Sequence, residues 1–183
     1  MNYKKGVFYF SKKLYNNLDT LKNPEKSKIL QGFFKTWPWQ YGEWDIFLWI
    51  TVPELKSVAK KYLKLSFWDL DILLKSKIHD HRYLGLAIIR LRFEKSQDEK
   101  EKEELFQFSL SHISSINNWD LVDTFIPYVW WEYFYTRNRE LLYSLVYSNN
   151  LWERRISIMT TFYFLRQKDF KDTIQISQIL LHD

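Results

Sequence analysis

The 183-residue chain contains no cysteine and only four glycines and four prolines. The absence of cysteine excludes disulfides, thiol catalysis and zinc sites of the finger type. No apolar stretch approaches the roughly 20 residues that span a bilayer, and the first residues lack the apolar region of a signal peptide. We therefore expect a cytoplasmic protein that does not associate with membranes.

The motifs of common enzymes are missing as well. The sequence has no Gly-rich phosphate loop and no recognisable Ser-His-Asp or Cys-His set. His79 and His81 are two residues apart on a predicted helix, so they cannot chelate a metal from one face, and no other His or carboxylate cluster has ligand spacing. The sequence therefore predicts neither a metal site nor a cofactor.

What the chain does contain is a helical pattern of apolar residues, which make up 46% of it. They recur at three- and four-residue spacing almost throughout, and no segment alternates with a period of two. The length suits one domain covering residues 1–183, and an all-α fold is expected. The net charge of +5 favours an anionic partner without identifying it.

Helix starts can be read from capping boxes, in which a hydroxyl residue is followed three positions later by an acid. Thr51 with Glu54 and Ser66 with Asp69 predict helices that open near 52 and 67. The apolar pattern predicts further helices over 8–22, 24–35, 79–96, 98–115, 119–136 with a bend near Pro127, 139–148, 151–167 and 170–181.

Three of these helices open in a similar way, with a polar cap and a mixed first turn. The openings are SKIHDHRY (76–83), INNWDLVD (116–123) and SNNLWERR (148–155). Their starts lie roughly 40 and 32 residues apart, a period typical of HEAT and armadillo helix pairs. We therefore predict a right-handed solenoid of antiparallel helix pairs, with the three openings on its concave face.

The second and third openings carry the candidate functional residues. Trp119 and Asp123 are one turn apart on one helix face, so a ring and a carboxylate could hold a cationic ligand together. The same pattern also suits a packed tryptophan and a solvated acid. Arg155, three residues after Trp152, could place a guanidinium beside the carboxylate, or could be an ordinary surface arginine.

A family resemblance runs from about residue 20 to the end of the chain. It is carried by INNWDLVD, SNNLWERRIS, TTFYFLRQKDFKDT and ILLHD, and earlier by NPEK, FFKT, QYGE and ITVPELKSVAKKY. These segments resemble the DNA alkylation repair glycosylases of the AlkD type. The resemblance implies a superhelix of HEAT-like repeats that hydrolyses the N-glycosidic bond of purines alkylated at N3 or N7. Duplex DNA is the implied partner, bound without deep base flipping.

Carried over position by position, the resemblance implies roles for four residues. Asp123 matches the catalytic aspartate, Trp119 a tryptophan of the DNA cleft, and Arg155 an arginine that contacts DNA near the lesion. Arg154 is expected to assist. The alternative is a non-catalytic HEAT-like module that binds DNA or protein, and a monomer is the default expectation for either function.

Two departures from the family pattern lead to further expectations. The family continues past ILLHD into another repeat with a second cleft tryptophan and an arginine, so the chain is expected to lack its last repeat. The family also has glycine where this sequence has Trp37, Trp39, Trp44, Trp49 and Trp131. Some bacterial lineages read UGA as glycine, and we hypothesise that these five tryptophans are misread UGA codons, whereas TGG codons there would contradict the hypothesis.

Overall fold

The computed structural model describes residues 3–25, 34–43 and 45–183, with side-chain surroundings from Lys12 onward. Within these residues the chain forms helices and no strand, apart from an isolated parallel bridge between Ile46 and Ile78. The predicted all-α class is confirmed. None of the described helices is long and apolar enough to cross a membrane. Most of the helix predicted over 24–35, and Trp44, lie outside the described residues.

Nine α-helices occur in the described residues, together with two short 3-10 turns. The helices are α1 Tyr3–Leu21, α2 Val52–Lys61, α3 Phe67–Leu74, α4 His79–Lys95, α5 Glu99–Ser111, α6 Trp119–Tyr135, α7 Glu140–Val146, α8 Leu151–Arg166 and α9 Lys171–Ile179. The 3-10 turns are Ile113–Ser115 and Leu180–His182.

The two capping boxes form as the sequence predicts. At α3 the Ser66 hydroxyl accepts from the Asp69 N–H at 3.2 Å, and the Asp69 carboxylate accepts from the Ser66 N–H at 3.1 Å. At α2 the Glu54 carboxylate accepts from the Thr51 N–H at 2.9 Å. Each contact satisfies a backbone donor that the helix itself cannot pair, so the starts at 52 and 67 are confirmed.

Two predicted helix boundaries were wrong. Helix α1 begins at Tyr3 and continues through Gly6, whereas the apolar pattern predicts a start only at residue 8. The helix predicted over 98–115 ends at Ser111, because local side chains compete for its last acceptors. The Ser111 hydroxyl donates to the Phe108 carbonyl at 2.8 Å, and His112 Nδ1 lies 2.9 Å from the same carbonyl.

The chain divides into two compact units, Met1–Arg92 (unit 1) and Phe93–Asp183 (unit 2). In unit 1 the buried apolar residues come from α1 to α4 and from the segment before α2. Gly85 allows α4 to approach α3 closely, since a Cβ there would lie 3.0 Å from Cδ2 of Leu74. The single domain over 1–183 stays a prediction.

Unit 2 is built from helices that contact the next helix in the chain or the next but one. Helix α8 packs against α6, α7 and α9, and α5 packs against α6. The core contains Trp130, which is fully buried and donates its indole N–H to the Ser109 hydroxyl at 3.1 Å. Packing between helices that are close in the chain is the arrangement that helix-pair repeats require. The curved solenoid itself stays a prediction.

The tryptophan-rich segment before α2 is irregular, and its backbone bears on the glycine hypothesis. Trp39 has φ 68° and Trp49 has φ 59°, both in the left-handed region that favours glycine. The Trp39 ring is 96% exposed. Trp37 and Trp131 do not have a positive φ. Two of the four described positions thus have the backbone expected of a glycine, and the hypothesis stays a prediction.

Candidate functional site

The openings of α6 and α8 are held by two asparagines. The Asn118 side chain is fully buried and accepts from the Trp119 N–H at 2.8 Å. The Asn150 side chain accepts from the Trp152 N–H at 2.9 Å. Because both helices are capped within their first turn, the side chains one turn further along have defined positions. The polar cap predicted at the opening 116–123 is confirmed, and Asn118 provides it.

Asp123 of α6 and Arg155 of α8 form a bidentate ion pair across the contact between these helices. Arg155 Nε donates to Oδ1 at 2.9 Å, and Nη2 donates to Oδ2 at 2.7 Å. The side chains are 29% and 38% exposed respectively, so solvent and a ligand can reach both. The structure thus brings together a carboxylate and a guanidinium that are 32 residues apart in the chain.

Trp119 lies one helical turn before Asp123 and is half-buried. Residues four apart share a helix face, so the indole and the carboxylate belong to the same side of α6. Pro127 follows four residues after Asp123 and has no N–H to donate to the Asp123 carbonyl. Trp152, by contrast, is buried and belongs to the core of unit 2.

Arg154 binds groups other than the Asp123–Arg155 pair. Its Nε and Nη2 lie 2.9 and 2.7 Å from the two carboxylate oxygens of Asp183. Its Nη1 donates to the Ser148 carbonyl at 2.9 Å. Arg154 therefore fastens the opening of α8 to Asp183, and its role in DNA binding stays a prediction.

The first opening, at the start of α4, differs from the other two because its side chains are buried. Asp45 accepts from Arg82 Nη2 at 2.6 Å and lies 3.3 Å from His79 Nδ1. Burial alone would raise the pKa of Asp45, but the hydrogen bond from His79 and the positive charge of Arg82 outweigh it and lower this pKa. The cluster fastens the segment before α2 to α4.

Asp80 strengthens the same attachment from the first turn of α4. Its carboxylate accepts from the N–H groups of Leu48 at 2.8 Å and Ile50 at 3.0 Å. Burial raises the pKa of Asp80 despite these two donors. No short-range spacing in the sequence indicates either contact, since Asp80 and Asp45 each pair with groups 30 or more residues away.

The fold and the site together define a class of protein. The described residues form an all-helical protein with a solvent-accessible carboxylate–guanidinium pair near two helix openings, and with an indole one turn away. The family model for the DNA alkylation repair enzyme matches residues 14–183, so the chain belongs to this family. A comparison with curated proteins finds no match. Family membership indicates a function in DNA repair with DNA as the substrate.

Proposed function

We propose that the protein is a DNA glycosylase that hydrolyses the N-glycosidic bond of cationic purines alkylated at N3 or N7 in duplex DNA. The observation that carries the proposal is the half-exposed Asp123 carboxylate, one turn after Trp119 and bound by Arg155. DNA as the substrate comes from family membership. Alkylation makes the purine a good leaving group, because the cationic base departs as a neutral one.

The reaction requires negative charge beside the deoxyribose. The bond between C1′ and the purine nitrogen breaks, its electron pair leaves with the purine, and positive charge builds up on the sugar in an oxocarbenium-like transition state. A water oxygen then bonds to C1′ and releases its proton to solvent, which leaves an abasic site. The protein therefore has to supply a fixed anion and a position for the water.

Asp123 has the chemistry for both tasks. A fixed carboxylate stabilises the developing cation and accepts a hydrogen bond from the attacking water. Removing one preorganised group of this kind typically slows catalysis about a hundredfold to a thousandfold. The electron-rich face of Trp119 attracts the cationic base and sugar, a contribution of about 0.5 to 2 kcal/mol.

In the structure, however, the charge of Asp123 is balanced by Arg155. A carboxylate with both oxygens bound to one guanidinium presents little net charge to a substrate. A DNA phosphate competes for the same donors, since it accepts the bidentate geometry that arginine offers. In our proposal Arg155 turns from Asp123 to a phosphate when duplex DNA binds, and the carboxylate becomes available to the sugar.

The test is single-turnover release of methylated purine from alkylated duplex DNA. Wild-type protein is compared with Asp123→Asn and with a control, Asp120→Asn, which removes a carboxylate from the first turn of the same helix. We expect Asp123→Asn to slow release at least about a hundredfold. Asp120→Asn is expected to stay within a fewfold of wild type.

Other outcomes would revise the proposal in distinct ways. Equal rates for wild type and Asp123→Asn would remove Asp123 from the reaction. Release by none of the three proteins, with DNA binding retained, would leave the alternative of a non-catalytic HEAT-like module.

A further inference from the structure

The positive charge of the chain is very unevenly divided between the two units. Unit 1 contains 17 lysines and arginines against eight aspartates and glutamates, a net charge of +9. Unit 2 contains ten against 14, a net charge of −4. The candidate site therefore lies in the acidic unit, although its expected substrate is a polyanion.

Five of the ten cations of unit 2 also form ion pairs with acids of the same unit, one of them Lys102 with Glu132. Four of its arginines form ion pairs, namely Arg137 with Glu99 and Glu103, Arg139 with Asp169 and Asp172, Arg154 with Asp183, and Arg155 with Asp123. Affinity for DNA depends on lysines and arginines that neutralise phosphates. The other five cations of unit 2 are outnumbered by its 14 acids, so we expect the attraction to arise mainly elsewhere.

Helix α2 and the residues directly after it, in unit 1, present a surface of this kind. Lys56, Lys60, Lys61 and Lys64 are all exposed, and we call these four residues the α2 lysine face. None of them has a hydrogen bond or ion pair with another described residue. The acid in this helix, Glu54, is occupied by the cap at Thr51. The α2 lysine face thus carries four cations without a neutralising partner among the described residues.

We propose that the α2 lysine face binds the phosphate backbone of duplex DNA and supplies much of its affinity. Lys56 and Lys60 are four residues apart, about 6 Å along the helix, and the duplex carries a charge every 3.4 Å or so along each strand. Lysine reaches phosphates as a flexible point charge, without the directional demands of base recognition. The inference rests on DNA as the substrate of the family, and not on the glycosylase reaction.

A membrane surface is the other large polyanion, and the burial pattern of α2 argues against it. Helices that lie in a membrane interface insert an apolar face below the lysines. In α2 the apolar residues Leu55, Val58 and Ala59 are packed inside unit 1, as is Tyr62 directly after the helix. Val52 is the one large apolar side chain of α2 that is exposed, so the outer face is mainly polar and suits a phosphate backbone better than a membrane.

The test is binding of an undamaged 20-base-pair duplex as a function of salt. The variant replaces the four lysines of the α2 lysine face with glutamine. Each lost phosphate contact lowers the slope of log K against log salt by about 0.9, so we expect the slope to fall by about 3 to 4. We expect Kd to rise more than about tenfold at 0.1 M salt, equally for different sequences.

A matched control removes the same charge from unit 2. It replaces Lys95, Lys100, Lys168 and Lys171, which are also exposed, with glutamine. We expect its Kd to stay within about threefold of wild type and its excision rate to be unchanged. If both variants lose the same affinity for duplex DNA, the effect comes from the overall charge of the protein and the proposal is overturned.

Two more results distinguish DNA binding by the α2 lysine face from membrane binding and from the glycosylase reaction. If the variant with glutamines in the α2 lysine face binds the duplex as tightly as wild type, the proposal is overturned. If that variant also loses the binding to phosphatidylserine vesicles that wild type shows, the α2 lysine face belongs to a membrane interaction. If the α2 variant loses duplex affinity but wild-type protein releases no methylated purine, the inference stands and the proposed glycosylase fails. An unchanged thermal unfolding midpoint confirms that the glutamine variants fold.

Discussion

Each unit of the molecule contains a carboxylate–guanidinium pair at the opening of a helix, and the two pairs differ in exposure. In unit 1 the side chains of Asp45 and Arg82 are each 5% exposed, with His79 beside them. In unit 2 the side chains of Asp123 and Arg155 are 29% and 38% exposed. The chemistry of the two pairs is the same, so the difference lies in what can reach them.

Exposure decides what such a pair can do. A buried pair is surrounded by protein on all sides, and the loss of one partner leaves an unbalanced charge in a medium that solvates it poorly. A half-exposed pair contributes little to stability, but its members can exchange partners with a ligand at small cost. We therefore expect Asp45–Arg82 to stabilise unit 1, and exposure leaves Asp123–Arg155 accessible for the proposed binding and chemistry.

The most direct test of this difference between the pairs is the same substitution in both of them. Asp45→Asn should lower the free energy of unfolding by about 3 to 5 kcal/mol, because Arg82 keeps its charge in a buried site. Asp123→Asn should change it by less than about 1 kcal/mol. Urea denaturation of both variants measures the two values, and equal losses would remove the distinction between the pairs.

The buried opening of α4 should also make unit 1 sensitive to acid. Burial lowers the pKa of His81 from 6.5 to about 4, and its Nδ1 lies 2.9 Å from the Ser76 hydroxyl. The unfolded chain therefore binds a proton below about pH 6.5, whereas the folded chain does so only near pH 4. Stability should fall as the pH drops through this window, by up to about 3 kcal/mol from this residue.

His81→Gln tests the origin of that loss, since glutamine keeps a polar side chain but does not titrate. Urea denaturation between about pH 7 and pH 4 should show a shallower decline for the variant than for wild type. Parallel curves would show that the acid sensitivity comes from other groups.

The exchange proposed for Arg155 predicts a smaller effect, on DNA binding. Asp123→Asn removes the competitor of the phosphate for Arg155, so affinity for undamaged duplex should rise about fivefold, or about 1 kcal/mol. Arg155→Gln should reduce the salt slope by about 1, which corresponds to one lost phosphate contact. Asp120→Asn reports the general effect of removing a negative charge, and a rise as large as that of Asp123→Asn would contradict the exchange.

Local features of the two units could be predicted from the sequence because they depend on neighbours in the chain. The capping box at Ser66, the cap at Asn118 and the one-turn spacing of Trp119 and Asp123 all involve residues within four positions. Propensity and helix geometry are sufficient for such features. These local features were sufficient to predict where the helices start and that Trp119 and Asp123 share a helix face.

The ion pairs could not be predicted in the same way. Asp45 and Arg82 are 37 residues apart, and Asp123 and Arg155 are 32 apart, so their contact depends on how helices and loops pack. The uneven charge of the chain was present in its composition, but the boundary after Arg92 that reveals it comes from the structure. Burial distinguishes the Asp45–Arg82 pair from the pair that we propose to be functional, and it is also a property of the packed fold.

The smallest expected effect concerns the irregular segment of unit 1, where two neighbouring tryptophans differ in backbone conformation. Trp39→Gly should raise the free energy of unfolding by up to about 1 kcal/mol, because relief of the left-handed φ of 68° outweighs the added freedom of the unfolded chain and a ring that is 96% exposed loses little packing. Trp37→Gly is the matched control, since that ring is 65% exposed and its φ is not positive. There the added freedom of the unfolded chain should lower stability by about 0.5 to 1 kcal/mol. Urea denaturation measures both changes in the free energy of unfolding. Changes of opposite sign would show that the backbone of residue 39 suits glycine, as expected if its codon is a UGA read as glycine. Equal losses of stability would contradict that expectation.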